Sequence, residues 1–263
     1  MGAIVLAQAG LHTTIFEAED LPGGGTRSAE LTLPGFIHDI CSAVHPLAIS
    51  SPAFVGLPLE QHGLEWIQPP IPLAHPFDDG SAAVLCRSME ETSARLGPDG
   101  PRYYRTVDSL AKHWTPLLNE ILQPPLHVPS KPFLLARFGA LAIQSASSAA
   151  SRHFRTPLAR ALFAGLSAHS VLPLEALGSA AFGWILAAAA HSAGWPIQRS
   201  GSQKIANALS SYFASLGGKI ACGTRIRSLE ESAGARLVLC DVSHRDSFSI
   251  WPATGCPDGF GGN

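Results

Sequence analysis

Glu17 closes a short apolar run, Thr14-Ile15-Phe16, and six residues later the chain reads Gly23-Gly24-Gly25-Thr26-Arg27. A carboxylate at a strand end can accept hydrogen bonds from paired hydroxyls such as those of a ribose. Glycines carry no Cβ and let a backbone come close to a diphosphate. A guanidinium matches phosphate oxygens with two parallel donors. Together these residues form the donor and acceptor set that the adenosine diphosphate half of FAD requires. Such a unit opens with a strand, G-x-G-x-x-G and a helix, and the acidic residue follows about 20 residues on. Here Met1-Gly2-Ala3 reads as lying inside that helix already. The expectation is a nucleotide-binding unit without its first strand and phosphate loop. Each residue also has a plainer role: Glu17 as a solvated carboxylate, Gly23 to Gly25 as a pliant turn, Arg27 as a surface cation.

Other clusters carry weaker signals. Cys41 and His45 sit four apart beside His38 and Asp39, but further ligands at a recognisable spacing are not found, so no metal site is expected. Gly165-Leu166-Ser167-Ala168-His169 resembles a G-x-S-x-G nucleophile elbow with its last glycine replaced. Packing on a helix is expected there, and a serine hydrolase is disfavoured. Ser200-Gly201-Ser202-Gln203-Lys204 looks like an anion-binding helix start but lacks P-loop spacing, and reads as an ordinary N-cap. No catalytic acid or base is assigned.

Hydrophobic residues make up 46% of the 263 and charged residues 14%, which fits a large core or an apolar substrate cavity. A formal net charge of −2 gives no reason to expect nucleic acid as a partner. Cys41, Cys86, Cys222, Cys240 and Cys256 are odd in number and never form C-x-x-C, which suits a reduced, cytoplasmic compartment. Residues 3–9 are apolar but lack the basic n-region of a signal peptide. The greasiest run, Leu177 to Ala190, falls short of the roughly 20 residues of a span. No transmembrane span is expected, and peripheral membrane contact and oligomeric state stay open.

The elements that must position these residues follow from periodicity. Residues 3–9 read as a helix stopped by Gly10, and 13–17 as a strand. Residues 18–50 are loop-rich. Residues 72–77 and 82–86 flank Asp78-Asp79-Gly80-Ser81 as a hairpin. Ser88 opens a capping box for a helix to about Leu96. One amphipathic helix is expected over 102–122, and two or three more over 131–193, with breaks near Pro157 and Pro173. A helix over 202–216 precedes strands at 219–222, 224–229 and 236–242. Residues 243–263 give no element and read as a tail foreign to the rest.

Five segments carry a likeness to known proteins: AIVLAQAGL (3–11), TIFEAEDLPGGGTRS (14–28), LPGFIHDICSAVHP (33–46), GWPIQRSGSQKIANAL (194–209) and SLGGKIACGTRIRSL (215–229). They resemble the phytoene-dehydrogenase-like branch of FAD-dependent oxidoreductases, within the amine-oxidase-like NAD(P)/FAD-binding flavoprotein group. The resemblance implies an α/β fold. A Rossmann-like FAD-binding domain would be formed by 1–50 and 194–242. A largely helical substrate or cap domain with a small antiparallel sheet would be inserted at 51–193, and 243–263 stays unassigned. It implies FAD as cofactor and hydride transfer from an apolar small molecule. Glu17 would bind the ribose, Gly23, Gly24, Gly25 and Arg27 the diphosphate or flavin end, and Ile226 would face the adenine. The segment 36–46 would pass near the flavin ring.

Against that pattern the sequence reads as truncated at both ends. Three absent charge-assisted hydrogen bonds, at about 1.5–3 kcal/mol each, would weaken cofactor binding by roughly a thousandfold or more. The alternative expectation is therefore a non-catalytic, truncated or degenerate flavoprotein fragment.

Overall fold

The computed structural model describes residues 1–124 and 126–242. The chain divides into two units. Unit 1 takes Met1–Cys41, Pro58–Leu64 and the chain from Gln203 onward; unit 2 takes Ser42–Leu57 and Glu65–Ser202. The expected strand at 236–242 is not formed, and the tail at 243–263 lies outside the described residues.

Unit 1 begins with α1 (Gly2–Gln8), which buries Ile4 and Ala7 and ends before Gly10 at φ +78°. β1 (Thr14–Phe16) follows, then a hairpin of β2 (Ser28–Glu30) and β3 (Ile37–Asp39). The hairpin adds regular structure to a region that reads as loop-rich. Its strands are three residues long, too short for alternation to register.

Helix α10 (Gln203–Ser215) of unit 1 turns Ile205, Ala206, Ala208 and Phe213 inward. Gly217 ends it at φ +83°. Gly218 is required by packing, because a Cβ there would stand 2.3 Å from the Phe213 ring. β8 (Lys219–Ala221) then pairs in parallel with β1, Ile15 opposite Ile220. The expected strand at 224–229 is not one. Thr224 N–H bonds the Glu17 carbonyl, and beyond it the chain has no ladder partner among the described residues and enters a 3-10 turn at Leu229–Ser232. Alternating exposure at 224–228 shows why it reads as a strand; pairing, which alternation cannot report, is what it lacks.

Unit 2 holds α2 (Pro52–Val55), the two-residue pair of β4 (Trp66–Ile67) with β7 (Ile197–Gln198), and the hairpin of β5 (Leu73–Pro76) with β6 (Ala82–Leu85). Asp79 Oδ1 accepts from Ser81 N and Oγ, and Gly80 takes φ +83°, as the turn sequence requires. α3 (Met89–Arg95) is capped by Ser88 Oγ, which accepts from Glu91 N.

The single helix expected at 102–122 is two, α4 (Gly100–Ala111) and α5 (Trp114–Ile121). Pro116 supplies the reason: its ring would collide with the Lys112 carbonyl of a continuous helix, and it has no N–H to offer. The break falls at Lys112–His113. The region 131–193 carries four helices rather than two or three: α6 (Pro132–Ala142), α7 (Ala146–His153), α8 (Pro157–Ala168) and α9 (Ser179–Ser192). Ser145 and Thr156 cap α7 and α8 through their side-chain oxygens.

α9 is buried from Gly183 to Ala190 because α4, α6, α7 and α8 pack around it. Trp184 lies at its centre, with its ring 4.4 Å from Phe163 and 5.0 Å from His153, centroid to centroid. Among the described residues no helix is long and apolar enough to cross a membrane.

Candidate cofactor site

β1 and β8 run parallel, so Glu17 and Cys222 leave the pair at the same carboxyl edge. In open α/β sheets that edge is where ligands collect. Three backbone bonds lace it together: Glu17 N–H to Ala221 O at 2.9 Å, Gly223 N–H to Glu19 O at 2.9 Å, and Thr224 N–H to Glu17 O at 2.8 Å. The half-buried Glu17 side chain uses Oε1 to accept from Glu19 N–H at 2.9 Å. Among the described residues Oε2 makes no protein hydrogen bond, so one carboxylate oxygen is left for a hydroxyl.

Gly24–Thr26 form a single 3-10 turn, closed by Thr26 N and Oγ1 on the Gly23 carbonyl, both at 2.8 Å. The three glycines differ in what makes them glycine. Gly23 has φ +138°, and a Cβ would lie 3.2 Å from that of Ala206, so α10 packs against it. Gly24 has φ +51° with open space where its Cβ would be. A Cβ on Gly25 would make ordinary contact with Cys41 Sγ, at 3.8 Å. Gly24 is thus the position at which a ligand can meet bare backbone.

Arg27 folds back over this turn, donating from Nε to Gly24 O at 3.1 Å. Its Nη1 lies 3.8 Å from Glu19 Oε2, with both side chains well exposed. Such a pair in water is weak and leaves the guanidinium available. Ile226 is half-buried, two residues beyond Thr224, which holds it near the same edge. The segment 36–46 belongs to unit 1 as far as Cys41 and to unit 2 from Ser42.

The residues that fasten the turn were not singled out by the sequence. Gln203 Nε2 donates to Pro22 O at 2.8 Å, and Gln203 N–H donates to Ser28 Oγ at 3.0 Å. Ser28 Oγ in turn donates to Asp39 Oδ1 at 2.6 Å. α10, the glycine turn and the β2–β3 hairpin are thereby tied at one point. The available signal was the small-polar run Ser200 to Lys204, which reads as a helix start and not as a clamp.

Other expected features fall elsewhere. Ser167 is buried on α8 and donates to the Phe163 carbonyl at 2.9 Å, so no nucleophile elbow is formed. His169 ends α8 with its ring edge-on to Trp195. Among the described residues no three His, Cys, Asp or Glu side chains gather as a metal site.

The sequence pattern of flavin-containing amine oxidoreductases matches residues 1–249. The chain belongs to that family. FAD is the cofactor the family implies, and the site offers an unpartnered carboxylate oxygen, an open glycine and a guanidinium that suit its adenosine end. The fold is that of the family: an α/β FAD-binding arrangement with a helical insert. Two solved structures of putrescine oxidase variants, made to redesign cofactor binding, are similar in fold. One aligns at a TM-score of 0.53 and 18% identity over 86% of this chain and 48% of its own; the other, a triple mutant, at 0.50 and 18% over 86% and 49%. The chain spans about half the length of either. None of the curated proteins matches it significantly.

Proposed function

We propose that this chain holds the adenosine end of FAD at the carboxyl edge of β1 and β8 and serves flavin-dependent oxidation of an apolar small molecule, as in the phytoene-dehydrogenase-like branch. The single observation that carries the reading is the unpartnered Glu17 oxygen beside the open Gly24 turn, in a chain of a flavin-containing family. Glu17 accepts from the ribose hydroxyls. Gly24 and Gly25 bring backbone to the diphosphate, on a turn that Gly23 packs against α10. Arg27 brings positive charge to the same place, and Ile226 lies along the adenine. When bound, FAD supplies the hydride acceptor. In this division of labour, 1–50 and 194–242 hold the cofactor and 51–193 receive the substrate.

The branch within the family is supported by the five segments quoted above and by the apolar composition. Anaerobic protein loaded with FAD is mixed with a polyene in detergent or with putrescine, and the visible flavin band is followed. Bleaching by the polyene alone is expected. Bleaching by putrescine alone would place the substrate among amines and end the apolar assignment.

A further inference from the structure

An open surface cavity of about 420 Å³ on unit 2 is lined by five exposed arginines: Arg102, Arg105, Arg152, Arg155 and Arg160. The one carboxylate on its wall is Asp99. Both Asp99 oxygens are already taken, by Arg155 N–H, Thr156 N–H and Thr156 Oγ1 at 2.7–3.0 Å. Among the described residues none of the five guanidiniums forms an ion pair. Their hydrogen bonds are few: Arg105 Nε to Pro101 O, Arg160 Nε to Phe154 O, and a long contact from Arg152 to Gln144. Most of their five donors apiece bond no protein group among the described residues and face solvent.

Helix stability does not explain this placement. Arg102 is the third residue of α4 and Arg160 the fourth of α8, and neither helix has an acid in its first turn. A helix N-terminus carries positive partial charge and disfavours cations. Arg152 and His153 close α7, where cations are favoured, but that accounts for one arginine of five. His153 adds an independent sign. Its Nδ1 is buried with no hydrogen-bond partner. Burial, then the charges of Arg102 and Arg152, hold the ring below its ordinary pKa. An anion in the cavity would relieve the mutual repulsion of the guanidiniums, complement two helix N-termini and favour the protonated His153 ring through space.

We propose that this cavity binds a diphosphate group, either free pyrophosphate or the head of an organic diphosphate. Five guanidiniums offer more charge and more donors than a single phosphate can use. A second cavity of about 410 Å³ shares Arg105 and His153 with the first and includes Ala140 and Leu141, which gives an organic remainder somewhere to lie. The site lies wholly in unit 2, whereas Glu17 and the glycine turn lie in unit 1.

The test is calorimetric titration of the whole chain with inorganic pyrophosphate, ADP and orthophosphate at low salt. Pyrophosphate is expected to bind one to one, at least about tenfold more tightly than orthophosphate. Arg102→Gln and Arg152→Gln, both exposed substitutions, should each weaken it about tenfold, the loss of one charge-assisted bond, with unchanged thermal midpoints. Glu17→Ala should leave it unchanged. The groups around His153 are Arg102 and Arg105 on α4, Arg137 on α6, Arg152 on α7 and Arg155, so an anion raises its pKa. Binding should therefore take up a proton, seen as heat that varies with the buffer and is lost in His153→Asn. Measured in Glu17→Ala, so that the adenosine site of unit 1 does not contribute, ADP binding tighter than pyrophosphate and weakened by Arg102→Gln identifies an organic diphosphate; weaker binding identifies the free anion. Equal affinity for pyrophosphate and orthophosphate, or a double variant Arg102→Gln/Arg152→Gln that binds as wild type does, would overturn the proposal. So would RNA binding that pyrophosphate cannot displace.

Discussion

Asp99→Ala removes the acceptor of three donors at once. The carboxylate is 2% exposed and receives Arg155 N–H, Thr156 N–H and Thr156 Oγ1, the last two at 2.7 Å. It pins the loop between α7 and α8 to the start of α4. A hydrogen bond to a charged group contributes about 1.5–3 kcal/mol, and stranding buried donors adds their desolvation. The three bonds share one carboxylate, so the expected loss is about 3–5 kcal/mol, the range for breaking a buried ionic contact from one side. Asp99→Asn keeps one acceptor oxygen and should lose about half of that. Urea unfolding followed by tryptophan fluorescence reads both, as a lower midpoint at unchanged slope. A pH arm checks the electrostatics. Burial alone would raise the Asp99 pKa, but the bonds from Thr156 and Arg155 and the Arg155 charge outweigh it and hold it below the usual value. The stabilisation is therefore complete above the unfolded pKa of about 3.9 and is lost as pH falls through the lower folded value. Asp99→Asn should be flatter than wild type in that window. An Asp99→Ala midpoint within about 0.5 kcal/mol of wild type, the range of ordinary surface changes, would refute the reasoning.

Trp184→Ala should cost about 3–5 kcal/mol by emptying the centre of unit 2. Trp184→Phe should cost far less, because the indole Nε1 is buried without a partner; urea midpoints decide. His191 is pushed below its ordinary pKa chiefly by burial, and it meets the Tyr103 hydroxyl at 2.8 Å. Its contribution is present above the unfolded value of about 6.5 and falls away as pH drops through the folded one, so His191→Gln should flatten the loss of stability below that unfolded value. Gln203→Ala cuts the bond to the Pro22 carbonyl; faster proteolysis at 20–28 and about tenfold weaker FAD binding are expected, from one lost hydrogen bond near the turn.

Short-range features were legible in the sequence. Gly10 ends α1, Asp79-Gly80-Ser81 makes the hairpin turn, and Ser88 caps α3, because each acts through neighbours within four residues. Glu17 and Arg27 are proposed as cofactor residues from one such local pattern. Most of what failed depended on partners far along the chain. Residues 224–229 alternate like a strand, yet no strand lies beside them among the described residues. Pro116 was visible, but the apolar stripe from Tyr104 to Ile121 masked the break it forces. The clamp of Gln203 on Pro22 spans 181 residues, and no local signal marks it. The arginines of the unit 2 cavity are spread from 102 to 160 and meet only because α4, α7 and α8 all pack on α9 and Asp99 ties the α7–α8 loop to the start of α4.

The central claim is that Glu17 holds the adenosine end of FAD. It is tested most directly by equilibrium binding of FAD to the 263-residue chain, wild type against Glu17→Ala, with exposed Glu175→Ala as control. A lost charge-assisted bond of about 1.5–3 kcal/mol corresponds to roughly 10- to 100-fold in affinity. The account predicts that loss in Glu17→Ala and none in Glu175→Ala. Equal FAD affinity for Glu17→Ala and wild type would contradict it.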